Sequence, residues 1–246
     1  MAEQATATPA EPAAPAPAAE ATQPTPKAKG AAQNLVLGLT RGQLAGLVAV
    51  IVAANMPFIV YFARGDAPVT ATIPFEDNFE RADVGPNYFT IGGQYRIENG
   101  VLHSPGAKNN PLWLKARLPD NVAVEFDARS ESIDGDIKCE IFGNGRDHAS
   151  GYVIVFGGWS NSTSVLARLD EHGRDRHENR GLRVQKGKTY HMRIERKGTL
   201  LRWLSDGQLM LEYDDHAPLR GKGHDRFGFS SWDSDLFFDN LSIQPL

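Results

Sequence analysis

The segment Gly157-Gly158-Trp159-Ser160-Asn161-Ser162-Thr163 sets one large aromatic ring among small polar residues, and Trp232-Asp233 repeats the combination near the C-terminus. A flat apolar ring covers the face of a sugar while amide, hydroxyl and carboxylate groups bond its hydroxyls, so this mixture points to carbohydrate recognition. Asn161, Arg168, His148, Asp170 and Asp233 are the polar candidates around the two rings. The competing reading makes both tryptophans ordinary residues at the edge of a core. Hydrolysis of a glycosidic bond would need two carboxyl groups about 5–9 Å apart. Glu125, Asp127 and Glu131 come nearest to such a set, with Asp134, Asp136 and Glu140 as a second series. Charged residues on a strand face ordinarily just meet water.

Other reactive types are poorly placed. His172 and His177 stand among Arg174, Asp175, Arg176, Glu178, Arg180 and Arg183, without the His-x-x-x-His spacing that a helix needs to hold zinc. The segment reads as a solvated loop, and no metal or other cofactor is expected. Cys139 is the single cysteine, which excludes an intramolecular disulfide, a cysteine-rich zinc site and a paired-cysteine redox motif. With 26 Lys+Arg against 30 Asp+Glu, the formal charge is −4 and the chain lacks the basic excess of a nucleic-acid binder.

The elements that must position these residues are strands. In Asn121–Arg129, Val122, Val124, Phe126 and Ala128 share one face and Glu125, Asp127 and Arg129 the other. Ile137, Cys139 and Ile141 alternate with Asp136, Lys138 and Glu140, and Tyr190, Met192 and Ile194 alternate with His191, Arg193 and Glu195. Each pattern is that of a strand covered on one side, so Cys139 is expected as a packed thiol. About ten further short runs separated by turn signals predict a sandwich or barrel over residues 73–246. The clearest hairpin is Leu200–Tyr213, around Ser205-Asp206-Gly207.

Two regions precede this domain. The first 33 residues hold 13 Ala, 6 Pro and no aromatic side chain. Such a chain buries too little apolar surface to offset its entropy, so residues 1–41 are expected to be a disordered arm. Residues 42–63 carry no charge, and about 20 apolar residues cross a bilayer of roughly 30 Å. A signal peptide would start nearer the N-terminus with a shorter apolar core, so a signal anchor is the better expectation. Lys27, Lys29 and Arg41 precede the span, whereas Asp66, Glu76 and Asp77 follow it closely. That bias predicts a cytoplasmic arm and an extracytoplasmic C-terminal domain, periplasmic in a bacterium. The linker, residues 64–72, keeps the domain close to the membrane.

Several motifs together carry a resemblance: Phe75-Glu76-Asp77-Asn78-Phe79, Gly93-Gln94-Tyr95-Arg96-Ile97-Glu98-Asn99-Gly100-Val101-Leu102, Gly151-Tyr152-Val153-Ile154-Val155-Phe156-Gly157-Gly158, Tyr190-His191-Met192-Arg193-Ile194 and Phe238-Asp239-Asn240-Leu241-Ser242-Ile243. The domain resembles the concanavalin A-like lectin/glucanase superfamily, including its laminin-G-like and 3-keto-disaccharide-hydrolase-type members. The resemblance implies an all-β jelly roll of two curved antiparallel sheets, with first and last strands side by side and ligands at the concave sheet or its rim loops. Retaining glucanases of that fold carry Glu-x-Asp-x-x-Glu on one strand. Glu125-x-Asp127 matches, but Glu131 comes one residue late, which would turn it to the other face unless a bulge intervenes. In the Asp136 series, Cys139 stands where an acid should be. Calcium accompanies some laminin-G-like relatives, yet Asp147, Asp170 and Asp233 form no dense acidic loop. The expectation is a membrane-anchored, non-catalytic module for a polysaccharide or other glycan. The alternatives are a scaffold domain that binds envelope proteins and, third, a glycoside hydrolase.

Overall fold

A computed structural model describes residues 38–63, 65 and 68–246, and divides the chain into two units after Ala63. Most of the expected arm, together with Arg64, Asp66 and Ala67 of the linker, lies outside the described residues.

The first unit contains helix α1, Arg41–Ala63. It starts one residue before the uncharged run because Thr40 and Gln43 form a reciprocal cap. The Gln43 N–H donates to Thr40 Oγ1 at 3.3 Å and the Thr40 N–H to Gln43 Oε1 at 3.0 Å. Asn55 is no obstacle to the apolar surface, since its Nδ2 donates to the Ile51 carbonyl one turn back at 2.7 Å. At 1.5 Å per residue the helix reaches roughly 35 Å, enough to cross the hydrocarbon layer. It is the one described helix long and apolar enough to do so.

The second unit is a sandwich of two antiparallel sheets. Its strands are β1 (Phe75–Asp77), β2 (Tyr88–Phe89), β3 (Arg96–Glu98), β4 (Val101–Ser104), β5 (Leu112–Leu114), β6 (Val122–Ser130), β7 (Ile137–Gly143), β8 (Tyr152–Gly157), β9 (Thr163–Arg168), β10 (His177–Asn179), β11 (Thr189–Lys197), β12 (Leu200–Ser205), β13 (Gln208–Asp214), β14 (Arg226–Ser230) and β15 (Leu236–Pro245). One sheet runs β13-β12-β11-β6-β15-β4-β3, with β1 also pairing β15, and the other runs β10-β9-β8-β7-β14-β5-β2. The expected jelly roll is present, and its first and last strands do lie together, Phe75 opposite Ile243. The β12–β13 hairpin turns at Asp206 and Gly207, both at positive φ. Strand β10 was not expected: three polar residues at a sheet edge carry no alternation to read.

The alternating apolar residues meet between the sheets. Phe126, Phe227, Phe229 and Phe238 form an aromatic cluster there, with Phe229 4.5 Å from Phe238 and 5.2 Å from Phe126 between ring centres. Cys139 is buried in the same core, and burial pushes its thiol up, so it is a packing residue.

One expectation fails. The outer face of β7 does not meet water, because Lys138 and Glu140 are 3% and 0% exposed. Val153, Val155, Val165 and Ala167 are also buried on this outer face, and form a second small apolar cluster with Ala149. Trp113 covers the adjoining part. A side chain added at Gly143 or Gly228 would run into its indole, at 2.3 Å and 2.8 Å respectively. The central strands of the seven-stranded sheet are therefore covered on both sides.

Candidate functional site

Connections between strands rise over that outer face and leave a cleft of about 530 Å³. Its floor is Lys138 and Val155 from neighbouring positions of β7 and β8. Asn109 comes from the β4–β5 connection, Asp134 and Asp136 from β6–β7, Trp159 and Ser160 from β8–β9, Glu171 and His172 from β9–β10, and Trp232, Asp233 and Ser234 from β14–β15. The walls thus come from five separate connections.

The four tryptophans divide cleanly. Trp113 and Trp203 are buried, whereas Trp159 and Trp232 are 38% and 53% exposed and both line the cleft. A cation rests against each ring: Arg176 lies 4.8 Å from the Trp159 ring centre and Lys108 lies 5.2 Å from that of Trp232. Lys108 also pairs with Asp233 at 2.6 Å. His172 meets Trp159 edge-on at 5.5 Å. These contacts hold the rings in place while leaving apolar surface open.

Trp159 stands on a strained turn. Trp159, Ser160 and Asn161 have φ of 50°, 54° and 58°, a left-handed stretch that costs L-residues about 1–2 kcal/mol each. Asn161 restrains it. Its Nδ2 donates to the Val184 carbonyl at 2.7 Å and the Ile133 carbonyl at 3.2 Å, and its Oδ1 accepts from the Val184 N–H at 2.9 Å. The Asn161→Ala variant is expected to lose about 2 kcal/mol of unfolding free energy and to shift the Trp159 indole resonance. Asn161→Gly relieves the φ penalty at that position but keeps the lost bonds, so it should recover only part of the loss.

Beneath the cleft lies a buried charged cluster. Lys138 Nζ is 3.0 Å from Asn109 Oδ1 and 2.9 Å from Glu171 Oε2. His148 lies between two carboxylates, with Nδ1 2.5 Å from Glu140 and Nε2 3.6 Å from Glu171. The Ala149 N–H donates to the second Glu140 oxygen at 2.8 Å. Burial opposes charge on His148, but Glu140 and Glu171 outweigh it and lift the imidazole to about 9. Burial likewise opposes charge on Glu171, and His148 and Lys138 overcome it, holding the carboxyl to about 2. Burial pushes Glu140 up. Among the described residues no group of three or more His, Cys, Asp and Glu converges as a metal site.

The residues singled out from sequence fall into three groups. Trp159, Trp232 and Asp233 meet in the cleft. Asn161 and His148 lie behind it, one bracing the turn and the other paired with Glu140, so neither presents itself as the ligand contact expected. Arg168 is turned away: its Nε bonds Asp215 at 2.8 Å beside the Tyr152 hydroxyl.

The carboxylates of β6 lie on the outer face of the other sheet. Asp127 bonds His191 and Asn240, each at 2.9 Å, while Glu125 bonds His191 and Arg193. Glu131 does not swing to the opposite face as expected. It pairs with Arg129 at 2.5 Å, because residues 125, 127, 129 and 131 keep even spacing. Sequence reasoning gave no role to Asn109, Lys138 or Glu171. The signal available was the unbroken apolar run of Tyr152–Phe156, which marks a strand covered on both faces.

No family model and no curated protein matches this sequence. Solved structures do match its fold. The carbohydrate-binding module CBM66 from Bacillus subtilis superposes with a TM-score of 0.54 at 16% identity, over 64% of this chain and 95% of the module. The Emp47p carbohydrate recognition domain gives 0.51 at 16% identity, over 74% and 99%. A structure from work on endo-acting O-glycanases of human gut microbiota gives 0.52 at 13% identity, over 70% and 98%. The sandwich is thus a jelly roll of two antiparallel sheets, a fold it shares with that carbohydrate-binding module and that carbohydrate recognition domain.

Proposed function

We propose that the cleft binds a glycan without transforming it, and that α1 anchors the domain to a membrane with the arm in the cytoplasm and the sandwich on the extracytoplasmic side. The observation that carries the binding reading is the convergence of the two exposed tryptophans on one cleft whose walls and floor also hold polar side chains. Stacking surface beside fixed hydrogen-bonding groups is the chemistry sugar recognition needs. The likeness to CBM66 and the Emp47p domain supports the same reading. The expected glucanase carboxylates lie on the other sheet, paired with His191, Arg193, Asn240 and Arg129, which speaks against hydrolysis by them. Anchoring draws its support from the length and composition of α1, and the orientation from the basic residues before it and the acidic ones after it.

Polysaccharide pull-down and glycan-array binding test the proposal. The variants Trp159→Ala and Trp232→Ala are each expected to weaken binding about fivefold or more, as loss of one stacked ring removes about 1–3 kcal/mol. Binding that survives both substitutions would move the ligand elsewhere. Release of the full chain from membranes by salt alone would remove the anchor.

A further inference from the structure

We infer that the cleft grips one hydroxyl of an uncharged sugar between Asp136 and Lys138, and so selects neutral glycans over those bearing carboxylates or free amines. The inference rests on the reading of the cleft as a glycan site and names the ligand class that site accepts.

Asp136 and Lys138 are separated by one residue and face the cleft together at the start of β7. Asp136 is tied to the stacking platform, since its Oδ2 accepts the Trp232 N–H at 2.6 Å. That bond leaves its other oxygen, Oδ1, 3.9 Å from Lys138 Nζ. The gap is too wide for a direct hydrogen bond, which closes by about 3.2 Å. It is the right width for one bridging oxygen at about 2.8 Å from each group. Asn109 and Glu171 occupy two directions around the Lys138 ammonium, which has three protons to give. A ligand oxygen in the gap must accept from Lys138 and donate to Asp136. A hydroxyl does both at once.

A charged substituent does not. A carboxylate would accept from Lys138 but would face Asp136 and Glu171, both buried, with Asp134 nearby at the rim, and like charges repel more strongly next to buried groups than in open water. An ammonium would suit the acids but would abut Lys138, which has nowhere to move because its side chain is 3% exposed. The rim cations do not alter this balance, because Lys108 is paired with Asp233 and Arg176 reaches Glu178 at 3.0 Å. The clamp thus rejects both signs of charge and keeps the polar group that every neutral sugar offers beside a ring face. An N-acetylated amino sugar is uncharged and stays within the accepted class.

The test uses the detergent-solubilised full chain at low ionic strength, where surface charge is least screened. The probes are neutral glucan, mannan and galactan, polygalacturonate and alginate, and chitosan before and after N-acetylation. At least one neutral polymer is expected to bind at least tenfold more tightly than any uronate polymer, and acetylation is expected to increase chitosan binding. Asp136→Asn keeps size and an acceptor for Trp232 but removes the charge that repels carboxylates. Its neutral-to-uronate affinity ratio should fall at least fivefold. Trp232→Ala should weaken every probe and leave the ratio unchanged. If the wild type binds neutral and acidic polymers alike, or Asp136→Asn leaves the ratio where it was, the clamp is overturned while glycan binding stands. If no polymer binds, the glycan reading itself falls. The wild-type comparison decides the question even if a variant fails to fold.

Discussion

The His148→Leu variant is expected to lose about 3–5 kcal/mol of stability near neutral pH, the range for stranding one partner of a buried ion pair. Glu140 is fully enclosed, and His148 is the only cation within hydrogen-bonding distance of it among the described contacts. Leucine fills the space but leaves the carboxylate without its counter-charge. The double variant Glu140→Leu/His148→Leu removes both charges and should regain much of the loss. The sign with pH follows from the shifts. His148, raised to about 9 in the fold, contributes stability that is complete below its ordinary value near 6.5 and is lost as pH rises through about 9. The full loss is about 3 kcal/mol. Glu171, held to about 2, contributes above its ordinary range and loses its contribution as pH falls through about 2. In His148→Leu the dependence on the alkaline side should vanish. Because burial pushes Glu140 up, that variant should recover stability as the pH falls and the stranded carboxyl takes a proton. Urea unfolding at about pH 5, 7 and 9 reads the His148 and Glu140 effects, and a further point near pH 2 reads the Glu171 effect. An unchanged midpoint in the single variant would mean that Glu140 is neutral in the native protein.

This cluster also marks the limit of what the sequence makes legible. Parity along β6, β7 and β11 identifies the inward residues, since one side chain in two must face the other sheet. The Asp-Gly turn marks the β12–β13 hairpin, and the uncharged run marks α1. Parity alone cannot tell whether an outward face meets water. Lys138 and Glu140 read as solvent residues by type, and only connections arriving from distant parts of the chain cover them. Asn109 reaches Glu171 across 62 residues, and Trp232 reaches Asp136 across 96. No local pattern encodes such contacts. Residue type was likewise misleading at Asn161. An amide beside a tryptophan looks like a sugar ligand, but Asn also tolerates the left-handed region and can cap a turn from its side chain. Trp159 and Trp232 carried a clearer signal, since Trp159 stands among glycine and small polar residues and Trp232 among serine and aspartate, where a core tryptophan would find little to pack against.

Arg196 shows parity yielding something unexpected. It continues the inward series Tyr190, Met192, Ile194, so alternation alone sends a guanidinium into the interior, and it is 0% exposed there. Its Nε donates to the Asp120 carbonyl at 2.8 Å and its Nη1 to the Leu219 carbonyl at 2.5 Å. The planar group lies over the Phe142 ring, 3.3 Å from its centre. Burial lowers its proton affinity, yet a guanidinium stays charged throughout the working range. The side chain thus ties the end of β11 to two separate loops across the edge of the core. Arg196→Ala is expected to lose about 3–5 kcal/mol, combining two carbonyls left without donors with the cavity beside Phe142. Arg196→Lys should recover little, because one ammonium cannot reach both carbonyls and stack on the ring. Arg196→Met restores volume without donors, so the gap between Met and Ala measures packing and the gap between Met and wild type measures the bonds. If Arg196→Met unfolded at the wild-type midpoint, the guanidinium would be filling space rather than fastening the loops.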